Sequence, residues 1–117
     1  MSRNRPEPGD IFEAQLGWFN PDSNEWEYKV RPTLVLIVKT ARLIRICSIT
    51  SIKPTSTARA PLGSIVISPD RKNGLWKESY ILSYNVFTVS KTDLGRYLGE
   101  IEEKFLDQVL DEASNFD

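Results

Sequence analysis

One stretch constrains the fold more than any other: residues 30–38, VRPTLVLIV, in which residues 34–38 are all aliphatic. A run this short and this rich in β-branched residues predicts a strand that is buried on both faces of a sheet. Proline has no amide hydrogen to donate to a neighbouring strand, so Pro32 predicts that the strand begins at the Arg-Pro step. Arg31 would then be a cation fixed at the entrance of the most buried strand.

Other short strands are predicted on both sides of this stretch. Residues 10–16 alternate polar and apolar side chains, as a half-buried strand does. The sequence Asn-Pro-Asp-Ser-Asn at 20–24 is a dense turn signal and predicts a long hairpin. Further strands are predicted over residues 42–49, 64–68, 79–83 and 86–90. The last two are either separate strands or one strand that is interrupted near Tyr84 and Asn85.

Two helices are predicted after the last strand. Ser90 can cap a helix over residues 90–99, and Gly99 would end it. Apolar residues then recur at helical spacing over residues 101–113. We therefore expect two C-terminal helices that pack against the strands.

This order of elements predicts a mainly β fold with C-terminal helices, arranged as a small SH3-like β-barrel. A length of 117 residues suits one domain. We expect a single barrel domain over residues 1–117, with residues 1–8 as a flexible lead-in. Trp76, which follows the turn dipeptide Asn73-Gly74, is predicted to lie in the core or at a dimer interface rather than on a binding surface.

The composition excludes several kinds of chemistry. The chain has no histidine, which excludes a histidine general base, a Ser-His-Asp triad and most transition-metal sites. Its one cysteine, Cys47, lies within a predicted strand and is expected to be a buried core residue. No apolar run approaches the ~20 residues that cross a bilayer, and the first residues lack the apolar segment of a signal peptide. We therefore expect a cytoplasmic protein that does not bind membranes.

The charges are distributed unevenly along the chain. Residues 29–69 contain no acidic residue but seven basic ones, whereas residues 100–117 contain seven acidic residues and a single lysine. The basic segment either suits an anionic partner or is an ordinary solvated surface. The acidic segment is predicted to be the outer face of the last helix.

Aromatic residues flank the predicted hairpin turn. Trp18 and Phe19 precede the turn, and Trp26 and Tyr28 follow it. Because Trp26 and Tyr28 are two residues apart, they share one face of the returning strand. These side chains either close one end of the barrel or form a flap that stacks on bases or on a partner peptide.

Several short motifs occur in an order that resembles a known family, the MazF/PemK (Kid-type) toxins of type II toxin–antitoxin systems. The matching pieces are PGDI at 8–11, RPTLVLI at 31–37, ITS at 49–51, KESYILS with FTVS at 77–90, and the closing segment at 94–113. The resemblance implies a PemK/CcdB-type barrel that forms a homodimer. It also implies a sequence-selective endoribonuclease that cleaves single-stranded mRNA without a metal or other cofactor and is neutralised by a cognate antitoxin peptide.

The resemblance also implies which residues act. The arginine of the Arg-Pro step is Arg31, and the threonine at the end of the third strand is Thr50, with Ser51 beside it. An acidic residue in the hairpin before the Arg-Pro step has two candidates, Glu25 and Glu27, between which the spacing does not choose. The candidate RNA-binding residues are the hairpin aromatics and the cations of the basic segment: Trp18, Trp26, Tyr28, Lys29, Lys53 and Arg59.

These residue types suit RNA cleavage by the adjacent 2′-hydroxyl group, which needs a base, an acid and donors for the charge that develops on the phosphate. Arg31 offers a planar pair of donors, and Thr50 adds a hydroxyl group. A glutamate at 25 or 27 could be the base if the hairpin folds over the site.

Two alternatives to a nuclease stay open. Some members of the family carry an arginine and an aspartate where this chain has Leu82 and Tyr84, and others carry an arginine where it has Phe87. These departures favour a non-catalytic relative that binds a protein target, as CcdB toxins do. The second alternative is a small nucleic-acid-binding barrel without a toxin role.

Overall fold

The computed structural model describes residues 5–51 and 65–114. Over these ranges six antiparallel strands form one sheet, and a single α-helix follows. The elements are β1 (Asp10–Asn20), β2 (Glu25–Val38), β3 (Leu43–Thr50), β4 (Ile65–Ile67), β5 (Ser79–Ser90), β6 (Leu94–Glu100) and α1 (Glu103–Ser114). Neighbouring strands follow the order β4-β5-β3-β2-β1-β6, and the sheet curls into a half-barrel. The prediction of a mainly β fold is therefore confirmed.

The central strand β2 is longer than predicted and does not begin at the Arg-Pro step. It begins at Glu25, so Pro32 lies in its interior, opposite Glu13 of β1. Pairing with β3 starts only at Thr33, so the proline precedes the part of β2 that has a neighbour on each side. Within β2 only residues 33–36 are buried on successive positions; Ile37 and Val38 still pair with β3, but their side chains are exposed.

The predicted hairpin is confirmed and is formed by β1 and β2. Its ladder runs without a break from the pair Ile11 and Leu34 to the pair Asn20 and Glu25. At the tip, the Asn20 side chain accepts a 2.9 Å hydrogen bond from the amide of Asp22. Asn24 completes the turn with a φ of 57°, a left-handed conformation that asparagine tolerates better than most residues.

Apolar side chains pack on both faces of the sheet. One cluster joins the inner residues of β1, β2, β3 and β5 to Val109 and Ala113 of α1. The other cluster contains Phe12, Val35 and Ile46 and lies on the opposite face. Because successive side chains of a strand point to opposite faces, the same strands contribute residues to both clusters. Ser83 of β5 also donates a 2.9 Å hydrogen bond to Glu112, which ties α1 to the sheet.

The first predicted C-terminal helix is wrong. Ser90 does form a capping box with Asp93, but the helix that it starts is a 3₁₀ turn of three residues, Lys91–Asp93. The chain continues as β6, which pairs with the open edge of β1. The edge of β1 would otherwise leave backbone hydrogen-bonding groups unpaired, and β6 packs Tyr97 edge-to-face on Phe12 with ring centroids 5.3 Å apart. The second predicted helix is confirmed as α1.

Residues 79–90 form one interrupted strand, which is one of the two predicted alternatives. β5 is continuous, but its pairing with β3 jumps from Cys47 opposite Val86 to Ser48 opposite Leu82. The extra residues form an irregularity at the position where the sequence predicts a break. In the described part of the chain, no helix is long and apolar enough to cross a membrane.

Candidate functional site

A groove of about 280 Å³ opens beside the point where β2 and β3 begin to pair. The segment 74–77 and strand β6 form its other walls. Its lining includes Glu13, Arg31, Thr50, Ser51, Trp76 and Arg96. The groove therefore gathers residues from β1, β2, β3 and β6 that are far apart in the sequence.

Arg31 and Thr50 meet in this groove. The register of β2 and β3 pairs Thr33 with Ser48, so the next residues on the same side of each strand are Arg31 and Thr50. The Arg31 Nη1 donates to the Thr50 Oγ1 over 3.4 Å. Both residues are half-buried, and both line the groove. Ser51 directly follows β3 and lines the same groove.

The two hairpin glutamates do not reach the groove. Glu27 lies four residues before Arg31 on an extended strand, which places their Cα atoms roughly 13 Å apart. Its carboxylate instead accepts a 3.1 Å hydrogen bond from the Asn20 side-chain amide. Glu25 lies two residues further out, at the pair that closes the hairpin. The hairpin thus continues the β1–β2 ladder away from Arg31, and neither glutamate lines the groove.

The predicted RNA-binding residues fall into two groups. Trp26, Tyr28 and Lys29 are exposed on β2, with Trp26 and Tyr28 63% and 59% exposed, respectively. Trp26 packs edge-to-face on Phe19 with ring centroids 5.9 Å apart, and this contact helps to fix the orientation of the Trp26 ring. Lys53, Arg59 and the side chain of Trp18 lie outside the described residues.

Trp76 was predicted to be a core or dimer-interface residue, and the structure excludes the core. Its side chain is 92% exposed, the largest exposed fraction among the large apolar residues that the structure describes. Trp76 is one of the residues that line the groove. Nothing in the surrounding sequence distinguishes it from a core tryptophan, because an isolated aromatic between a turn and a strand fits either position.

Sequence reasoning missed an ion pair in the groove. The Arg96 Nη2 lies 2.7 Å from the Glu13 Oε1, and this contact joins β6 to β1. The polar position of Glu13 in an alternating strand was visible, but its partner was hidden because residues 90–99 were predicted to be a helix. Departures from the family pattern at Leu82 and Phe87 lie away from the groove lining.

The groove lining is rich in positive charge. Among its described residues, Arg31, Lys77 and Arg96 are cations, and Glu13 is the one carboxylate. Such a lining attracts an anion such as a phosphodiester. In residues 5–51 and 65–114, no group of three or more potential ligands gathers where it could hold a metal ion.

The thiol of Cys47 does not belong to this site. Cys47 is fully buried between β2 and β5 in the cluster that α1 covers. Burial raises the pKa of its thiol to about 12, because the thiolate would lose its hydration there. The prediction of a buried core cysteine is confirmed.

Comparisons with known proteins agree on one family. A family model described as "PemK-like, MazF-like toxin of type II toxin-antitoxin system" matches residues 7–115. Among solved structures, the Mycobacterium tuberculosis toxin MazF-mt6 is 26% identical, with a TM-score of 0.60 and coverage of 89% of this chain and 90% of that one. A comparison with curated proteins found no match.

A second solved structure has the same fold at lower identity. An endoribonuclease in complex with its cognate antitoxin from a mycobacterial species is 20% identical, with a TM-score of 0.65 and coverage of 97% of this chain and 98% of that one. Because the family model covers nearly the whole sequence, the resemblance found from the motifs is confirmed: the chain belongs to the PemK-like, MazF-like toxin family of type II toxin–antitoxin systems.

Proposed function

We propose that this protein is an endoribonuclease toxin that cleaves single-stranded mRNA at selected sequences without a metal ion. The observation that carries the proposal is the contact of Arg31 with Thr50 in a positively charged groove. The names of its structural neighbours, which include endoribonucleases, support the same activity.

In this proposal the groove binds the phosphate at the cleavage site. The guanidinium of Arg31 donates two parallel hydrogen bonds to phosphate oxygens, a geometry that a planar fork provides and an ammonium group does not. The Thr50 hydroxyl, already oriented by Arg31, adds a third donor. As the 2′-oxygen attacks phosphorus and the 5′-oxygen leaves, negative charge grows on the phosphate, and these donors stabilise it. Ser51 is the adjacent hydroxyl that could share this role.

The RNA on either side of the cleaved bond is proposed to follow the exposed hairpin. Trp26 and Tyr28 offer flat apolar surfaces for bases, and Lys29, which directly follows Tyr28 on β2, is proposed to neutralise a phosphate. Trp18, Lys53 and Arg59 are also proposed to bind RNA. The glutamates at 25 and 27 would then border the RNA path and are not positioned to act at Arg31.

The partners are also proposed on physical grounds. The exposed apolar residues of β2 and the hairpin suit contact with another polypeptide, either a second copy in a homodimer or a cognate antitoxin peptide. The antitoxin bound in one structural neighbour supports the latter partner. We place the protein in the cytoplasm, where mRNA is available, and the unit that acts is the single barrel domain.

The test uses purified protein and a long single-stranded RNA in excess EDTA, with the fragment ends mapped. Wild-type protein is expected to give discrete cuts, and Arg31→Ala is expected to give none. Arg42→Ala is the matched control, because it removes an exposed arginine from the turn between β2 and β3, away from the groove. Its cutting should equal that of the wild type.

Each other outcome rejects a part of the proposal. If Arg31→Ala cuts like the wild type, the active centre is elsewhere or the activity is a contaminant. If all three proteins leave the RNA intact across several RNA sequences, the chain is a non-catalytic member of the family. The next experiment would then be a search for a protein target.

A further inference from the structure

The groove contains a carboxylate that the sequence did not single out. We infer that Glu13 is the general base of the cleavage reaction and that Arg96 holds it in position; this inference rests on the proposed nuclease function. The observation behind it is that Glu13, Arg31 and Thr50 line the same groove, and that an ion pair fixes Glu13 there.

The position of Glu13 follows from the sheet. In the β1–β2 ladder Glu13 lies opposite Pro32 and Ala14 lies opposite Arg31, so Glu13 and Arg31 leave the sheet on opposite faces. Both residues line the groove, which lies where β2 and β3 stop pairing beyond Thr33 and Ser48. Paired strands lie about 5 Å apart, so a glutamate side chain can span the distance to a ribose that occupies the groove. The Glu13 side chain is 27% exposed, which leaves it accessible to a substrate.

The competing candidates lack this placement. Glu25 and Glu27 are further along β2 and do not line the groove. Among the described lining residues, no other side chain is a carboxylate, and the remaining charged groups are cations that cannot take up a proton in that form. A base must lie within hydrogen-bond reach of the proton that it removes, and among the described lining residues Glu13 is the carboxylate that a bound RNA can reach.

Arg96 is the positioning residue. It binds Oε1 of Glu13 over 2.7 Å, so Oε2 is the oxygen assigned to the proton transfer. The Arg96 side chain is 73% exposed and approaches from β6, on the other side of β1 from Arg31. The carboxylate is thereby held between two strands that the sheet itself fixes.

The step balances as follows. The Glu13 carboxylate takes the proton from the 2′-hydroxyl group, and the 2′-oxygen forms a bond to phosphorus. The bond between phosphorus and the 5′-oxygen breaks, and the departing oxygen takes a proton from water. The products are a 2′,3′-cyclic phosphate and a 5′-hydroxyl end, after which the protonated Glu13 returns its proton to solvent. Arg31 and Thr50 stabilise the charge on phosphorus throughout.

A purely structural role for the ion pair makes different predictions. As a link between two strands, the pair would support the edge of the sheet, and its loss would alter thermal stability and RNA binding together. A general base contributes to the rate of the chemical step and not to the binding of RNA. The two roles therefore separate when rate and affinity are measured on the same variant.

The experiment measures single-turnover cleavage and RNA affinity for wild type, Glu13→Gln, Glu13→Ala and Arg96→Gln on an RNA whose cut site has been mapped. Glu13→Gln is expected to lower the rate roughly 10²- to 10⁴-fold, the usual contribution of a general base, with RNA affinity unchanged or slightly stronger. Added formate, a small carboxylate, should partly restore cutting by Glu13→Ala. Arg96→Gln should lower the rate less, about tenfold, and Arg96→Lys should recover part of that loss.

Glu103→Gln is the matched control, because it makes the same change at an exposed position in the first turn of α1. Equal cutting by wild type and Glu13→Gln would overturn the inference while leaving the nuclease proposal intact. A Glu13→Gln variant that melts earlier, binds RNA less well and does not respond to formate at Glu13→Ala would also overturn it. If the wild type does not cut at all, the nuclease proposal itself has failed.

Discussion

Arg31 and Thr50 are 19 positions apart in the sequence, and the β2–β3 register brings Arg31 Nη1 to within 3.4 Å of Thr50 Oγ1. A shift of that register by one residue would turn one of the two side chains to the opposite face of the sheet. The contact between Arg31 and Thr50 therefore depends on the register in which β2 and β3 pair. On the other side of β2, the buried hydroxyl of Thr33 donates a 2.9 Å hydrogen bond to the Phe12 carbonyl, which joins β2 to β1.

Removing the Thr50 hydroxyl should slow cleavage without unfolding the protein. Thr50→Val keeps the β-branched shape but loses the donor beside Arg31, so we expect the rate to fall by about 10²–10³-fold. The measurement is single-turnover cleavage of a mapped RNA. Thr88→Val makes the same change at an exposed position on β5 and should cut like the wild type. A Thr50→Val variant of normal activity would remove Thr50 from the site.

The shape of the Arg31 side chain should matter as well as its charge. Arg31→Lys preserves the charge but replaces a planar fork with a single ammonium group, which cannot bond Thr50 and two phosphate oxygens in the same geometry. We expect cleavage to fall at least about tenfold while RNA binding at low salt changes little. Comparison of cleavage rate with filter-binding affinity checks this. Equal losses in both would mean that Arg31 contributes charge alone.

Much of the sheet was predictable because its signals are local. The alternation in residues 10–16, the turn at 20–24 and the apolar run at 34–38 each specify a strand or a turn without reference to the rest of the chain. Arg31 and Thr50 could be named because the family-like motifs at residues 31–37 and 49–51 mark β2 and the end of β3. Their actual contact, however, depends on the register between the strands, which the motifs imply but do not measure.

The secondary-structure predictions were wrong where pairing between strands overrides the local preference of the sequence. Ser90 is a good helix cap, but residues 94–100 contain two glycines and meet an unpaired strand edge, so they form β6. Because that strand was predicted as a helix, Arg96 was not connected to Glu13. Proline favours a strand entrance, so the sequence predicts that β2 begins at the Arg-Pro step. In the structure the missing donor of Pro32 is tolerated inside the strand, before pairing with β3 begins at Thr33.

The exposed Trp76 should contribute to RNA binding and not to stability. It is 92% exposed at the groove, so Trp76→Ala removes a stacking surface without opening a cavity. We expect RNA binding to weaken by about 1–3 kcal/mol, the usual value for one aromatic–base contact. Fluorescence titration with a non-cleavable RNA analogue measures the affinity, and thermal melting provides the control. A lower melting temperature with unchanged affinity would indicate a structural role instead.

Gly99 should be intolerant of a side chain for a reason unrelated to helix termination. A Cβ at this position would collide with the backbone carbonyl of Lys72, which also accepts a 2.8 Å hydrogen bond from the amide of Glu100. We expect Gly99→Ala to destabilise the fold by about 1–3 kcal/mol, a typical cost of overpacking. Gly95→Ala is the comparison, since its nearest neighbour would be 3.2 Å away, and it should cost less. Urea unfolding of both variants measures the difference, and a larger cost at Gly95 would contradict the close approach at Gly99.

The buried thiol of Cys47 should make the protein less stable at high pH. Its pKa is about 12 in the fold, against an ordinary value of 9.0, so between these values the unfolded chain loses a proton that the folded chain keeps. The unfolded state then binds fewer protons, and the free energy of unfolding falls as pH rises, by up to about 1.4 kcal/mol per pH unit from this group. Urea unfolding at several pH values above 9 tests this against Cys47→Ala, which removes the thiol and leaves every other side chain in place. The stability of the wild type should fall more steeply with pH than that of the variant. Parallel slopes would show that the thiol ionises as easily in the fold as in the unfolded chain.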